Sequence, residues 1–222
     1  MTPYAAAFSG TASGGDEFSY VYDWDFGDGS ARGTAAVAAH TYSDGGGYTA
    51  VFTVSDGALS GSAFLEVEAY ERGAEQSLTV TSGGHVREYL QYLPTGFDPA
   101  VKTPLVFVLH QGGTSGADIA ERSGFSAIAE REGFIAVYPT GVDLGWNSGR
   151  DTGPDTVDDV AFFAELVVKL RGSFSIDPRR IYSAGMCAGS AMSQRLAEKM
   201  SGTFAAVATV AGSMPDWIAE GF

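Results

Sequence analysis

The sequence predicts two units of different class: an all-β unit over residues 1–69 and an α/β unit over residues 77–222. Three observations carry this. Apolar and polar residues alternate with a period of two through the first third of the chain. Beyond it, continuous apolar runs alternate with helical patterns, the arrangement of a parallel sheet covered by helices. Between the two, residues 70–76 (Tyr70-Glu71-Arg72-Gly73-Ala74-Glu75-Gln76) are polar and without period, which predicts a linker.

In the first region Tyr20, Tyr22, Trp24 and Phe26 share one face of a strand, and Gly27-Asp28-Gly29 turns the chain. Tyr48, Ala50, Phe52 and Val54 form a second strand, closed by Asp56-Gly57. Leu65, Val67 and Ala69 alternate with Glu66 and Glu68 in a third. Short strands separated by Gly/Asp turns suit a β-sandwich. Asp23, Asp25 and Asp28 are spaced closely enough to suit a hard cation, but at turn positions they serve local hydrogen bonds first. No metal site is expected. His40 has no ligand-type neighbour in sequence and reads as structural.

In the second region Val86, Leu90 and Tyr92 open a hairpin, and Leu105–Leu109 is a buried parallel strand. One helix is predicted from Asp118 to Glu132, with Ile119, Phe125, Ile128 and Ala129 inward and Gly133 ending it. Phe134–Tyr138 is a strand stopped by Pro139, and Asp158–Leu170 a helix. Arg180–Ala184 is a strand, Ser190–Met200 a helix and Ala205–Val210 the next strand.

Composition sets limits. A formal charge of −14 on 222 residues argues against nucleic acid and anionic membrane as partners, since both need basic patches. A single cysteine excludes an internal disulfide. No apolar run is long enough to span a bilayer, and Met1-Thr2-Pro3-Tyr4 does not begin a signal peptide. No cofactor is implied.

The chemistry concentrates at Gly185-Met186-Cys187-Ala188-Gly189. This has the form G-x-S-x-G, with cysteine in place of serine, between a strand and a helix as a nucleophile elbow requires. The glycines suit a cramped turn, and the thiol stands at the positive end of the helix dipole. A lone cysteine can equally be a small buried apolar residue; the flanking elements and a second motif favour a nucleophile. That motif is His110-Gln111-Gly112-Gly113, directly after the buried strand. Backbone N–H groups of Gln111 or Gly112, with that of Ala188, are placed to receive an oxyanion. Trp146 and Asn147 are candidate substrate contacts on a loop near the pocket mouth. Asp158 and Asp159 read as a helix cap and a loop anchor rather than as paired acids.

Two resemblances add to this. Tyr22-Asp23-Trp24-Asp25-Phe26-Gly27-Asp28-Gly29, His40-Thr41-Tyr42 and Gly47–Gly57 resemble a PKD domain, an immunoglobulin-like module of extracellular proteins, although its opening strand looks short or missing. Residues 77–222 resemble the polyhydroxybutyrate depolymerase-like esterases, α/β-hydrolases that include feruloyl and acetylxylan esterases. The carrying segments are Leu105–Gly113, Arg131–Pro139, Gly145-Trp146-Asn147, Val157–Phe162, Asp177–Tyr182, the elbow and Phe204–Ala208. The resemblance implies an extracellular carboxylic-ester hydrolase acting on polyester or polysaccharide-linked esters through a nucleophile, acid and histidine, with the PKD module contacting a polysaccharide or protein.

Three departures stand against it: Cys187 for serine, Gln111 for glycine, and no histidine after Cys187, since His40, His85 and His110 all precede it. Asp216 is the one aspartate that follows, too early to be assigned as the acid. The α/β-hydrolase sheet is therefore expected to be C-terminally incomplete and the chain to be a fragment. The alternative is a non-catalytic binding or adhesion protein with a degenerate hydrolase unit.

Overall fold

The computed structural model describes residues 4–16, 19–42, 46–69, 71–98, 101–149 and 157–212. The chain divides into two compact units, Met1–Glu71 and Arg72–Phe222.

The first unit has five strands: β1 (Tyr4–Ser9), β2 (Val21–Asp25), β3 (Val37–Tyr42), β4 (Gly46–Ser55) and β5 (Ser60–Ala69). β1 pairs with β3 in one antiparallel sheet, and β2, β4 and β5 form another. Phe8, Trp24, Phe26, Tyr42, Ala50, Phe52 and Ala69 make its core, in which the Tyr42 hydroxyl donates to the Phe26 carbonyl at 3.0 Å. Two expectations are corrected here. The opening strand is present as β1; its run of three alanines carries little strand propensity, and the pairing with β3 decides it. Leu65, grouped with Val67 and Ala69 on one face of its strand, is 51% exposed where Ala69 is fully buried, so that face is not covered along its whole length. His40 does have a partner: its Nε2 lies 2.7 Å from Asp28 Oδ2, while its ring stacks on Phe26. The three aspartates are used locally, Asp23 and Asp25 with Arg32, and Asp28 with His40 and the Ser30 N–H.

Burial works against the charge on Asp28, and hydrogen bonds from Ser30 and His40 outweigh it, so its carboxyl is held down to about 2. A carboxyl depressed by folding stabilises above its unfolded value and loses that contribution as pH falls through the folded one. The first unit should therefore weaken as pH falls from about 4 to about 2. Thermal melts followed by the Trp24 indole resonance should show a shallower fall for Asp28→Asn; equal slopes would refute the assignment.

The second unit contains β6 (Glu75–Ser82), β7 (His85–Tyr92), β8 (Thr103–Leu109), α1 (Gly116–Ser123), α2 (Phe125–Glu132), β9 (Ile135–Pro139), α3 (Asp159–Ser173), β10 (Ile176–Met186), α4 (Ala188–Lys199) and β11 (Ala206–Val210). The last two residues of the expected linker, Glu75 and Gln76, begin β6. The sheet order is β11-β10-β8-β9-β7-β6, parallel from β11 to β9 and antiparallel through β7 and β6.

Both faces of β8 are covered, as its unbroken apolar run requires. Val106 and Val108 pack with Ile119, Ala129 and Tyr138, and Phe107 meets Phe163 and Phe204. The single helix expected from Asp118 to Glu132 is two. A capping box between Ser115 and Asp118 starts α1, and Gly124 at φ 66° breaks the helix before α2. Gly133 ends α2 in the left-handed conformation, as expected. Asp158 caps α3 through the Ala161 N–H at 2.9 Å. On β7 the strand buries Arg87, Tyr89 and Gln91 as well as Tyr92, while Val86 is 70% exposed. Among the described residues no helix is long and apolar enough to cross a membrane.

Candidate active site

The six-stranded sheet of the second unit changes its direction of winding at β8. The chain leaves β8 for β9 on one side and later returns to β10 on the other. Loops leaving the C-terminal ends of β8 and β10 diverge at such a point and open a crevice.

β10 ends at Met186 and α4 begins at Ala188, so Cys187 makes the whole turn. Its backbone sits at φ 54°, ψ −112°, a conformation that costs a non-glycine residue about 1–3 kcal/mol. The turn is held from both sides: the Cys187 N–H donates to the Val210 carbonyl at 2.9 Å, and the Cys187 carbonyl accepts from Ser190 N at 3.0 Å. Both flanking glycines are required by contact. A methyl on Gly185 would overlap the Gly189 carbonyl, and one on Gly189 would overlap the Leu109 carbonyl and stand 2.8 Å from that of His110. The tight approach of α4 to β8 pushes the thiol outward, and Cys187 is exposed.

Across the crevice, the loop after β8 folds around one oxygen. The Gln111 carbonyl accepts from His110 Nδ1 at 2.8 Å, Thr114 Oγ1 at 3.0 Å and Thr114 N at 3.3 Å. Among the described residues, the N–H groups of Gln111, Gly112 and Ala188 have no acceptor. A methyl built on Gly112 would lie 3.8 Å from the Ala188 Cβ, so the two sets of unspent donors border the same space. Donors fixed in advance and free of other bonds are what a developing oxyanion needs.

His110 is fully buried and both ring nitrogens are engaged. Nε2 accepts from the Gly141 N–H at 2.9 Å, so the proton sits on Nδ1 and points at Gln111. Burial lowers its pKa, the Gln111 bond opposing this, and the ring stays neutral. It has no lone pair left for Cys187. His85 begins β7, three strands from β10, or about 14 Å to the side at roughly 4.8 Å per strand. Asp216 lies outside the described residues.

Trp146 and Asn147 direct their polar atoms at the chain itself. Trp146 Nε1 donates to the His110 carbonyl at 3.0 Å, and its ring packs between His110 and Phe163. Asn147 Nδ2 donates to the Val157 carbonyl at 2.7 Å and its backbone N–H to Asp159 Oδ2 at 2.7 Å. Asp159 is thus a loop anchor, and its other oxygen pairs with Arg87 Nη2 at 2.6 Å in the interior. Burial pushes the Asp159 carboxyl up, and Arg87 and the Asn147 N–H pull against it. Arg87, Gly141 and Leu144, whose carbonyl accepts the Gly113 N–H at 2.8 Å, escaped the sequence reading. A lone arginine in a strand normally faces solvent, and backbone groups leave no pattern in side chains.

With the geometry in place, known proteins can be compared. Residues 2–67 match the PKD domain and residues 87–216 match the family described as esterase PHB depolymerase. The protein named esterase NocK in Nocardia uniformis subsp. tsuyamanensis is 36% identical over 146 residues, covering 64% of this chain and 42% of that protein. Poly(3-hydroxyalkanoate) depolymerase C of Paucimonas lemoignei is 32% identical over 139 residues, covering 60% of this chain and 32% of that one. The solved acetyl xylan esterase from Aspergillus awamori superposes with a TM-score of 0.55 at 18% identity, over 64% of this chain and 53% of that one, and shares the fold. The chain thus spans between about a third and about half the length of these three proteins. The match over residues 87–216 takes in more than half of the 222 residues, and on it the chain belongs to the esterase PHB depolymerase family, with a PKD domain ahead of the esterase region.

Proposed function

We propose that the second unit performs carboxylic-ester chemistry through an acyl-enzyme on Cys187. The observation that carries this reading is the one-residue elbow at φ 54°, ψ −112°, which presents an exposed thiol beside unspent backbone donors. The sulfur, as thiolate, adds to the ester carbonyl carbon. The carbonyl oxygen takes the negative charge and is received by the N–H of Gln111 or Gly112 and by that of Ala188. Collapse breaks the carbon–oxygen bond, expels the alcohol as alkoxide or phenoxide and leaves a thioester on Cys187. Trp146 and Asn147 hold the loop that borders the site, with the indole edge as the group offered to substrate.

Water must then cleave the thioester, and neither histidine of the second unit serves that step from where it stands: His110 has both ring nitrogens engaged and His85 stands three strands from β10. We therefore expect acylation by activated esters to outrun deacylation in this chain. Esters carried on polyesters or polysaccharides are the substrate class that the named relatives support, in an extracellular setting in which the PKD unit contacts the polymer or a protein.

Mixing the full chain with p-nitrophenyl acetate should release about one equivalent of p-nitrophenolate in a burst, the kinetic sign of an accumulating acyl-enzyme. Peptide mapping should place the acetyl group on Cys187. A chain whose Cys187 alkylates readily but never acylates would sink the reading. Retention on polyhydroxybutyrate or cellulose without acylation would instead support the binding protein.

A further inference from the structure

The strongest arrangement that the reaction above leaves unused is the buried pair Arg87–Asp159. Arg87 is 2% exposed, lies with its guanidinium 3.9 Å from the centre of the Phe162 ring, and joins Asp159 Oδ1 through Nη2. Its Nε and Nη1 have no hydrogen-bond partner among the described residues. An ion pair taken from water and only partly satisfied is a poor stabiliser compared with apolar residues of the same shape. What the pair does hold is the segment 140–147. Arg87 Nη2 reaches the Thr140 carbonyl at 3.5 Å, and Asp159 Oδ2 accepts the Asn147 N–H at 2.7 Å, so the two residues grip both ends.

Between those ends the backbone is forced. Asp143 at φ 52° and Leu144 at φ 58° are consecutive left-handed residues without a glycine, and such a turn persists only where its surroundings impose it. This imposed turn is what touches the loop after β8. Gly141 N–H donates to His110 Nε2 at 2.9 Å, the Leu144 carbonyl accepts Gly113 N–H at 2.8 Å, and Trp146 Nε1 donates to the His110 carbonyl at 3.0 Å. These three bonds flank Gln111 and Gly112 on both sides.

We infer that Arg87 and Asp159 are positioning residues: by gripping the strained 140–147 segment at both ends, they aim the Gln111 and Gly112 N–H groups at the thiol of Cys187. The inference rests on the reading of those groups as oxyanion donors, and the test separates the two. The full chain is compared with Asp159→Asn, which keeps the volume and removes the charge, and with Arg87→Met/Asp159→Leu. The double substitution leaves no buried charge alone and guards against simple misfolding.

Two measurements decide. Hydrogen exchange should be about tenfold faster at the Gly113 and Gly141 amides in both variants, with β9 amides as protected as before. Exchange unchanged at both amides overturns the grip. The second measurement sets acylation by p-nitrophenyl acetate against alkylation of Cys187 by iodoacetamide, a displacement that forms no oxyanion. Acylation should fall about 10- to 100-fold, somewhat less than when a donor is removed outright, with alkylation within about twofold. Both reactions falling together, or neither, overturns the positioning role. If the unaltered chain alkylates without acylating, the ester reading fails by itself, while the exchange data still decide the grip.

Discussion

Cys187→Ser should acylate at least about a thousandfold more slowly than the native chain, a loss comparable to removing a member of a catalytic triad. The reason is that, among the described residues of the second unit, no histidine is free to act as a base. A hydroxyl must surrender its proton as it attacks, and needs a neighbour to take it; a thiol near neutral pH already has a few per cent of its molecules as a strong nucleophile. His110 is spent on Gly141 and Gln111, and His85 stands three strands away. Serine at the elbow would thus find no free histidine to activate it among the described residues of the second unit. Stopped-flow release of p-nitrophenolate from Cys187→Ser and Cys187→Ala should be indistinguishable. A serine variant that acylates within tenfold of the native chain would reveal a base and overturn this part of the proposal.

Gly189→Ala should cost about 3 kcal/mol or abolish folding of the second unit, at the upper end of what overpacking produces. The added methyl would strike the Leu109 carbonyl and crowd that of His110, both backbone atoms of the central strand and its loop. Backbone on each side leaves no flexible side chain to give way, so relief requires α4 to lift from β8 and release the strained turn at Cys187. Gly112→Ala is the control: its methyl meets only the Ala188 Cβ at 3.8 Å, ordinary contact, and should change stability little. Urea midpoints of the two variants measure the difference. Equal midpoints would mean that the close approach does not hold the elbow in place.

Much of the second unit was legible from the chain because its signals are local. An apolar run such as Leu105–Leu109 can only be a buried strand or helix, and its length, with Pro104 before it and Gly112-Gly113 soon after, chooses the strand. The turn at Cys187 was legible for the same reason: two glycines, each two positions from the apex, describe a turn made within five residues. Where the reading failed, the deciding contact lay far along the chain. β1 is a strand because Tyr4–Ser9 meets Val37–Tyr42, which three alanines do not announce. His40 finds Asp28 across 12 residues. Gly124 breaks a helix whose periodicity continues on both sides, because a glycine's left-handed conformation is indifferent to the pattern around it.

By itself, then, the order of residues determined the class of each region and offered a candidate nucleophile beside a candidate oxyanion loop, since all depend on neighbours in sequence. The fold alone decided that His110 is occupied, that Trp146 and Asn147 turn their polar atoms inward, and that Arg87 joins Asp159 across 72 positions. Those outcomes depend on which groups lose water together, and that is settled when the sheet and its helices close, not along the chain.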